Sequence, residues 1–183
     1  KTVIQEGIRI AKRAAQNRGY VATAIGPIGK LLEPFGPART EDLEEQYEEI
    51  LQFAAEEGSD LLLFETFRDL KELEIALQIE KKLQTGIPVI AQVVLGENGH
   101  TAFGQSLKEL AVLKEKYGVF AIGMNCGLGP QETWEHLRRF RQSYKGFLTA
   151  QPNAGYPKMI DGRMIYMATP EYFAEYSKRM LQS

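Results

Sequence analysis

The sequence predicts an α/β fold built on a parallel sheet. Short apolar runs alternate with segments whose apolar residues recur at helical spacing, and the runs follow one another closely enough for direct crossovers. Strict alternation of strand and helix is typical of parallel sheets with right-handed crossovers. Five such units fit either a segment of an eight-stranded TIM barrel, which typically needs about 250 residues, or a five-stranded doubly wound sheet. Periodicity alone leaves both architectures open.

Five apolar runs are predicted as strands. They are mostly continuous rather than alternating, which is the pattern expected of strands covered on both faces. The predicted strands span residues 20–25, 60–65, 87–95, 119–125 and 147–152.

The intervening segments are predicted as helices because their ends carry capping residues. The predicted N-caps are Thr40, Asp69, Ser106 and Thr169, and the predicted stops are Gly58 and Gly118. Glu72 and Glu109 stand three residues after two of these caps and predict capping boxes. The first helix, from Lys1 to Gln16, has no cap before it and the last has no glycine after it. We therefore expect a fragment of a longer domain.

Composition excludes several classes of protein. A chain of 183 residues with 44% hydrophobic content is expected to form one domain, or a large piece of one. The 22 basic and 24 acidic residues nearly balance, so neither nucleic acid nor a membrane surface is an expected partner. A single cysteine cannot form an internal disulfide, and no run reaches the roughly 18 apolar residues of a transmembrane helix. A cytoplasmic protein with a small-molecule substrate is expected.

Polar residues at the carboxyl ends of the predicted strands mark the candidate site, because both architectures bind ligands there. The candidates are Glu65, Asn125, Cys126 and Asn153. Each also has a structural explanation: a lone cysteine is commonly a small buried hydrophobe, a carboxylate can cap a loop, and Asn before Ala-Gly can simply form a turn. Glu65 closes an apolar strand, where a carboxylate is costly unless a cation, a donor or water meets it.

Other polar features are weaker candidates. Gly26 to Gly29 lacks the lysine and the spacing of a phosphate-binding loop, and a tight turn explains it. His100, in a polar turn, and His136, on a charged helix, are both predicted to be solvated surface residues. No histidine pair has metal-ligand spacing, and there is no second cysteine.

Five motifs, in order across nearly the whole chain from Gly26, resemble the homocysteine S-methyltransferase domain. That domain occurs in cobalamin-dependent methionine synthase, in fusions with methylenetetrahydrofolate reductase and as stand-alone methyltransferases. The motifs are Phe64-Glu65-Thr66-Phe67-Arg68-Asp69, Pro88-Val89-Ile90-Ala91-Gln92, Gly123-Met124-Asn125-Cys126 followed by Gly129-Pro130, Pro152-Asn153-Ala154-Gly155, and Thr169-Pro170.

The resemblance implies a TIM barrel, of which residues 1–183 look like strands three to seven with their helices. The family's first two strands and its last strand, which carries an adjacent cysteine pair, have no counterpart here. By resemblance, Cys126 is catalytic as one of three thiolate ligands to zinc. Glu65 is similar to the carboxylate that meets the substrate ammonium, Asn125 to the residue that orients the metal's surroundings, and Asn153 to the asparagine that approaches zinc when substrate is absent.

The expected function is zinc-dependent methyl transfer to the thiol of homocysteine, giving methionine, from a donor that the sequence does not identify. Fused cobalamin, folate or methylenetetrahydrofolate reductase domains are possible partners. With only one of the three thiolates, the fragment alone is expected to be inactive and to hold zinc weakly. The alternatives are a metal-free βα-barrel lyase or pterin-binding barrel that uses Glu65 as its base, and a non-catalytic barrel fragment.

Overall fold

The computed structural model describes residues 2–16, 18–155, 158–166 and 168–182, and shows strands and helices in alternation. Lys1 and Ser183, which the predicted terminal helices reach or approach, lie outside the described residues. The elements are α1 (Thr2–Ala15), β1 (Ala22–Ile25), α2 (Thr40–Glu56), β2 (Leu61–Phe67), α3 (Leu70–Leu83), β3 (Val89–Val93), α4 (Leu107–Tyr117), β4 (Ala121–Asn125), α5 (Pro130–Arg141), β5 (Phe147–Gln151), β6 (Lys158–Ile160), β7 (Arg163–Ile165) and α6 (Pro170–Leu181).

The first five strands form one parallel sheet in sequential order, β1-β2-β3-β4-β5. A doubly wound sheet reverses its strand order at a switch point, whereas a TIM barrel adds each new strand beside the previous one. The order therefore confirms the predicted barrel segment, and the doubly wound alternative is wrong.

Helices cover one face of this sheet. In β1 the side chains of Thr23 and Ile25 are buried while those of Ala22 and Ala24 are exposed, and β5 is at most half-buried along its length. The expectation that all strands are covered on both faces is thus wrong for the outer strands. The main core lies between sheet and helices, where the largest fully buried side chains include Tyr47, Phe64, Phe67, Leu43, Leu51, Leu73 and Leu77.

Most predicted helix ends are confirmed. Asp69 accepts a hydrogen bond from the N–H of Lys71, Ser106 forms a capping box with Glu109, and Thr169 accepts from the N–H of Tyr172. Gly118 ends α4 with a left-handed φ of 71°. Thr40 is not a cap but the first residue of α2, which Arg39 precedes as N-cap.

The prediction that Glu72 completes a capping box with Asp69 is wrong. Glu72 is buried, and its Oε1 atom accepts hydrogen bonds from the N–H of Ile28 at 2.8 Å and from the hydroxyl of Tyr47 at 2.9 Å. The side chain turns toward α2 and the loop after β1 because two donors there satisfy a carboxylate that packing removes from water.

A hairpin that the sequence reading missed, β6 with β7, follows the fifth strand. Its turn is Asp161-Gly162, with φ angles of 49° and 72°. An Asp-Gly pair between two short runs of β-forming residues is a strong hairpin signal, so this element was readable from the sequence. Within the described residues, no helix is both long enough and apolar enough to cross a membrane.

Candidate active site at the carboxyl ends of the strands

Two residues at the carboxyl ends of β2 and β4 adopt left-handed backbone conformations without being glycine. Thr66, near the end of β2, has a φ of 67°, and Cys126, directly after β4, has a φ of 55°. The pairing of β2 with β3 shifts register between Phe64 and Phe67, so Thr66 lies in an irregular part of its strand. Conformations of this kind are unfavourable for side chains with a Cβ and concentrate at functional sites.

The carboxamide of Asn125 connects these two residues. Its Oδ1 atom accepts a hydrogen bond from the main-chain N–H of Thr66 at 2.8 Å, and its Nδ2 atom donates to Oγ1 of Thr66, also at 2.8 Å. Nδ2 also donates to Sγ of Cys126 at 3.4 Å. Asn125 is only 3% exposed. Its polar atoms are therefore engaged within the protein, in contact with the thiol.

Backbone hydrogen bonds fix the loop that carries the thiol. The N–H of Cys126 donates to the carbonyl of Gln151 at 3.0 Å, and the carbonyl of Cys126 accepts from the N–H of Leu128 at 2.7 Å. The N–H of Asn153 donates in turn to the carbonyl of Leu128 at 2.9 Å. The loops after β4 and β5 are thus tied to each other.

A surface cavity of about 700 Å³ lies over this loop, and Cys126 and Asn153 both line it. Its other lining residues include Thr66, Arg68 and His100. Of the predicted site residues, the structure therefore brings Cys126 and Asn153 to one cavity, with the Asn125 carboxamide buried behind the thiol.

Glu65 is adjacent in sequence to Thr66 but does not line this cavity. It is half-buried on the same face of β2 as Leu61 and Leu63, opposite the face that packs on the helices. Among the described residues, its carboxylate has neither a hydrogen-bond donor nor an ion-pair partner. The carboxylate is thus available to a cationic group of a ligand.

A second cavity, of about 500 Å³, adjoins the first and shares Thr66, Arg68 and Ala102 with it. Glu72 reaches its wall. Burial raises the pKa of Glu72 above its usual range, against the opposing effect of the hydrogen bonds from Ile28 and Tyr47. Burial and the neighbouring Glu72 carboxylate also raise the pKa of the Tyr47 hydroxyl.

The structure adds residues that the sequence reading passed over. Thr66 and Arg68 stand inside a motif already singled out, but the sequence does not show that they turn toward the thiol loop. His100 is exposed, as predicted, yet it lines the thiol cavity, with its ring Nδ1 hydrogen-bonded to the carbonyl of Asn98 at 2.9 Å. His136 is half-buried rather than solvated, and burial lowers its pKa.

The described residues contain one sulfur donor suited to zinc, the thiol of Cys126. Cys126 is half-buried at the cavity and receives a hydrogen bond from Asn125, which suits a metal-bound thiolate. The described part of the chain contains no cluster of three or more His, Cys, Asp or Glu side chains that would hold a metal ion. Cys126 thus fits as one ligand of a zinc site whose remaining ligands these residues do not supply.

Comparison with known sequences yields one family and several relatives. The sequence model of the homocysteine S-methyltransferase family matches residues 1–183. Methionine synthase of Mycobacterium tuberculosis is 31% identical over 93% of this chain, and that of Mycobacterium leprae is 30% identical over the same share. The chain spans 15% of the length of each of these methionine synthases.

Solved structures show the same fold. The apo form of the homocysteine methyltransferase MmuM from Escherichia coli superposes with a TM-score of 0.72 at 22% identity, over 84% of this chain and 60% of that one. The oxidised form gives a TM-score of 0.74 at 17% identity, over 99% and 62%. A metallated form of MmuM gives 0.72 at 19% identity, over 84% and 58%.

Proposed function

This chain belongs to the homocysteine S-methyltransferase family, and from that premise we propose that it is the central part of a zinc-dependent barrel that methylates the thiol of homocysteine, giving methionine. The chain spans less than two thirds of the relatives it matches, so the activity is proposed for the complete protein. The observation that carries the proposal is the Cys126 thiol, which lines a cavity at the strand ends and receives a hydrogen bond from Asn125.

The reaction replaces the proton on the homocysteine sulfur with a methyl group. The homocysteine sulfur bonds to the methyl carbon, the bond between that carbon and the donor breaks, and its electron pair leaves with the donor. The thiol proton goes to solvent. A thiol with a pKa near 8.5 is mostly protonated at neutral pH, and the thiolate is the nucleophile. Zinc would supply a Lewis acid that favours the deprotonated thiol.

Each of the candidate site residues would have its own role in this reaction. Cys126 would be one zinc ligand, and the other two thiolates would come from outside these 183 residues. Asn125 would hold Cys126 in place, since it already donates to the sulfur. Asn153 faces the same cavity as the thiol and would approach the metal when substrate is absent. The unpartnered carboxylate of Glu65 would bind the substrate ammonium.

The methyl donor and the module that presents it lie outside this chain. Cobalamin, folate or methylenetetrahydrofolate reductase domains fused to the barrel would supply the methyl group, as the similarity to methionine synthases favours. We place the complete enzyme in the cytoplasm, where the reducing environment would keep the proposed zinc-binding cysteines free of disulfides.

Substitution of Cys126 by Ser in the full-length protein tests the proposal. We expect loss of stoichiometric zinc, measured by metal analysis of the purified protein, and loss of methionine formation of at least about 100-fold, because a thiolate ligand is removed. Met124→Leu is the matched control. It changes a buried side chain of β4, the strand that precedes Cys126, to one of similar volume, and both zinc and activity are expected to remain. Full zinc and full activity in Cys126→Ser would contradict the proposal.

A further inference from the structure

We infer that Thr66 is a positioning residue of the thiol site: it holds the Asn125 carboxamide so that the NH₂ group, rather than the oxygen, faces the sulfur of Cys126. This inference rests on the proposed function, in which Cys126 is a metal ligand. It assigns a task to a residue that contacts neither substrate nor metal in that proposal.

The orientation of the carboxamide follows from the chemistry of its partners. A main-chain N–H can only donate, so the Asn125 atom that meets the N–H of Thr66 must be the oxygen. The NH₂ group then occupies the other end of the carboxamide, where it donates to Oγ1 of Thr66 and to Sγ of Cys126. Thr66 therefore determines which end of Asn125 faces the thiol.

The backbone of Thr66 is bent to make this contact. A left-handed conformation is unfavourable for a β-branched residue and persists only where the surroundings enforce it. Here it occurs beside a register shift between β2 and β3, and it turns both the N–H and the hydroxyl of Thr66 toward Asn125. Cys126, whose sulfur also contacts the Asn125 carboxamide, has a left-handed backbone too. One buried carboxamide thus joins two unfavourable backbone conformations, at the ends of β2 and β4, across the intervening strand β3.

The orientation of the carboxamide affects the sulfur of Cys126. An N–H donor beside the sulfur fixes the orientation of a metal-bound cysteine side chain, whereas a carboxamide oxygen in the same place has no hydrogen to donate. Residues that orient a metal ligand in this way typically contribute about 10–100-fold to metal affinity or activity. Asn125 is 3% exposed, so water cannot easily replace a lost partner.

The test is Thr66→Val in the full-length protein. Val keeps the branched shape and the main-chain N–H that accounts for the orientation of the carboxamide, but it removes the hydroxyl that holds the NH₂ group in place beside the sulfur. We expect zinc affinity, measured by competition with a chromogenic chelator, to fall about tenfold. Thr66→Ser retains the acceptor and is expected to keep the affinity of the parent protein. The thiolate-to-metal absorption band of the Co²⁺-substituted protein is expected to shift in Thr66→Val and not in Thr66→Ser. If Thr66→Val does not fold, Thr66→Ala replaces it.

A double-mutant cycle separates positioning from general destabilisation. If Thr66 acts through Asn125, Thr66→Val has no further effect on zinc affinity in an Asn125→Leu background. Additive losses in the double variant, or unchanged affinity and spectrum in Thr66→Val, would overturn the inference.

A measurement on metal-free protein distinguishes this inference from the proposed function. In crystal structures of the metal-free proteins, the distance from Asn125 Nδ2 to Cys126 Sγ, 3.4 Å here, is expected to lengthen in Thr66→Val and not in Thr66→Ser. Absence of zinc from the parent protein would count against the proposed function alone. An unchanged distance in Thr66→Val would count against the positioning role.

Discussion

Gln92 on β3 donates a hydrogen bond from Nε2 to Oγ1 of Thr149 on β5, at 3.0 Å, across the strand that separates them. The residue between them in register is Gly123 of β4, which pairs with Gln92 on one side and with Thr149 on the other. A Cβ atom at position 123 would overlap the main-chain oxygen and the hydroxyl of Thr149. Three strands are therefore joined beneath the thiol loop because the middle one carries no side chain there.

Gly123→Ala is accordingly expected to destabilise the protein. The added methyl group meets main chain, which cannot rotate away, so β5 must shift relative to β4 and the contact between Gln92 and Thr149 is strained or lost. We expect a loss of about 2–3 kcal/mol in the free energy of unfolding, typical of overpacking at a closely packed position. Urea denaturation followed by circular dichroism measures it.

Gly7→Ala provides the control, since the same methyl group is added in α1, where no heavy atom lies within 4 Å of the added Cβ. Alanine is favoured over glycine in a helix by up to about 1 kcal/mol, so this variant is expected to be neutral or stabilised. Equal destabilisation of the two variants would show that the sheet is not the cause.

The buried carboxylate of Glu72 predicts an unusual pH dependence of stability. Because burial raises its pKa above the ordinary value near 4.5, the folded state binds this proton more tightly than the unfolded state does. Stability that depends on the protonated carboxyl is present below the unfolded pKa and is lost as pH rises through the folded pKa. The unfolding free energy of the parent protein relative to Glu72→Gln is expected to fall across that window, as measured by denaturation at a series of pH values.

Glu74→Gln is expected to behave in the opposite way. The hydrogen bond from Lys116, at 2.7 Å, lowers the pKa of Glu74. The parent protein's advantage over this variant is therefore present above the unfolded pKa and is lost as pH falls through the folded one. The effect is small because the pair is partly exposed. Parallel pH profiles for the two variants would contradict both assignments.

Asp69 links the start of α3 to the loop before α4. Its Oδ1 atom accepts hydrogen bonds from the N–H of Lys71 at 2.9 Å and from Nε2 of Gln105 at 2.8 Å. Asp69→Ala removes a helix cap and leaves the Gln105 amide without this acceptor, so we expect a loss of about 1–2 kcal/mol in thermal or chemical denaturation. Asp69→Asn retains an acceptor and is expected to lose less. Equal losses in the two variants would argue that the negative charge, rather than the hydrogen bonds, is what matters.

Local sequence patterns predicted most of the fold and part of the candidate site. Alternating strands and helices, with caps such as Asp69 and Ser106, predicted the parallel sheet because these signals depend on neighbouring residues. The pair Asn125 and Cys126 was found because polar residues at strand ends are informative in any parallel α/β fold.

The remainder depended on contacts between residues far apart in the chain. Glu72 was misread as a capping residue because its true partner, the hydroxyl of Tyr47, lies 25 residues away on another helix. The sequence indicated Thr66 only as part of a motif and did not predict its positioning role. Its left-handed backbone depends on the register shift between β2 and β3 and on the carboxamide of Asn125, which is 59 residues further along the chain. No local propensity predicts Thr in that conformation.

Glu65→Gln tests the substrate-binding part of the proposed function. The substitution keeps shape and hydrogen-bonding capacity but removes the negative charge, and the Glu65 carboxylate has no competing partner among the described residues. A charge-assisted hydrogen bond contributes about 1.5–3 kcal/mol, so the KM for homocysteine in the full-length enzyme is expected to rise about 10–100-fold. The kcat is expected to change little, because the ammonium is bound equally in the ground and transition states.

Glu97→Gln, which alters an exposed carboxylate on the loop after β3, is the matched control and should leave KM unchanged. Steady-state kinetics with homocysteine as the varied substrate measures both, and a KM that rises equally in the two variants would mean that net charge, rather than Glu65, attracts the substrate.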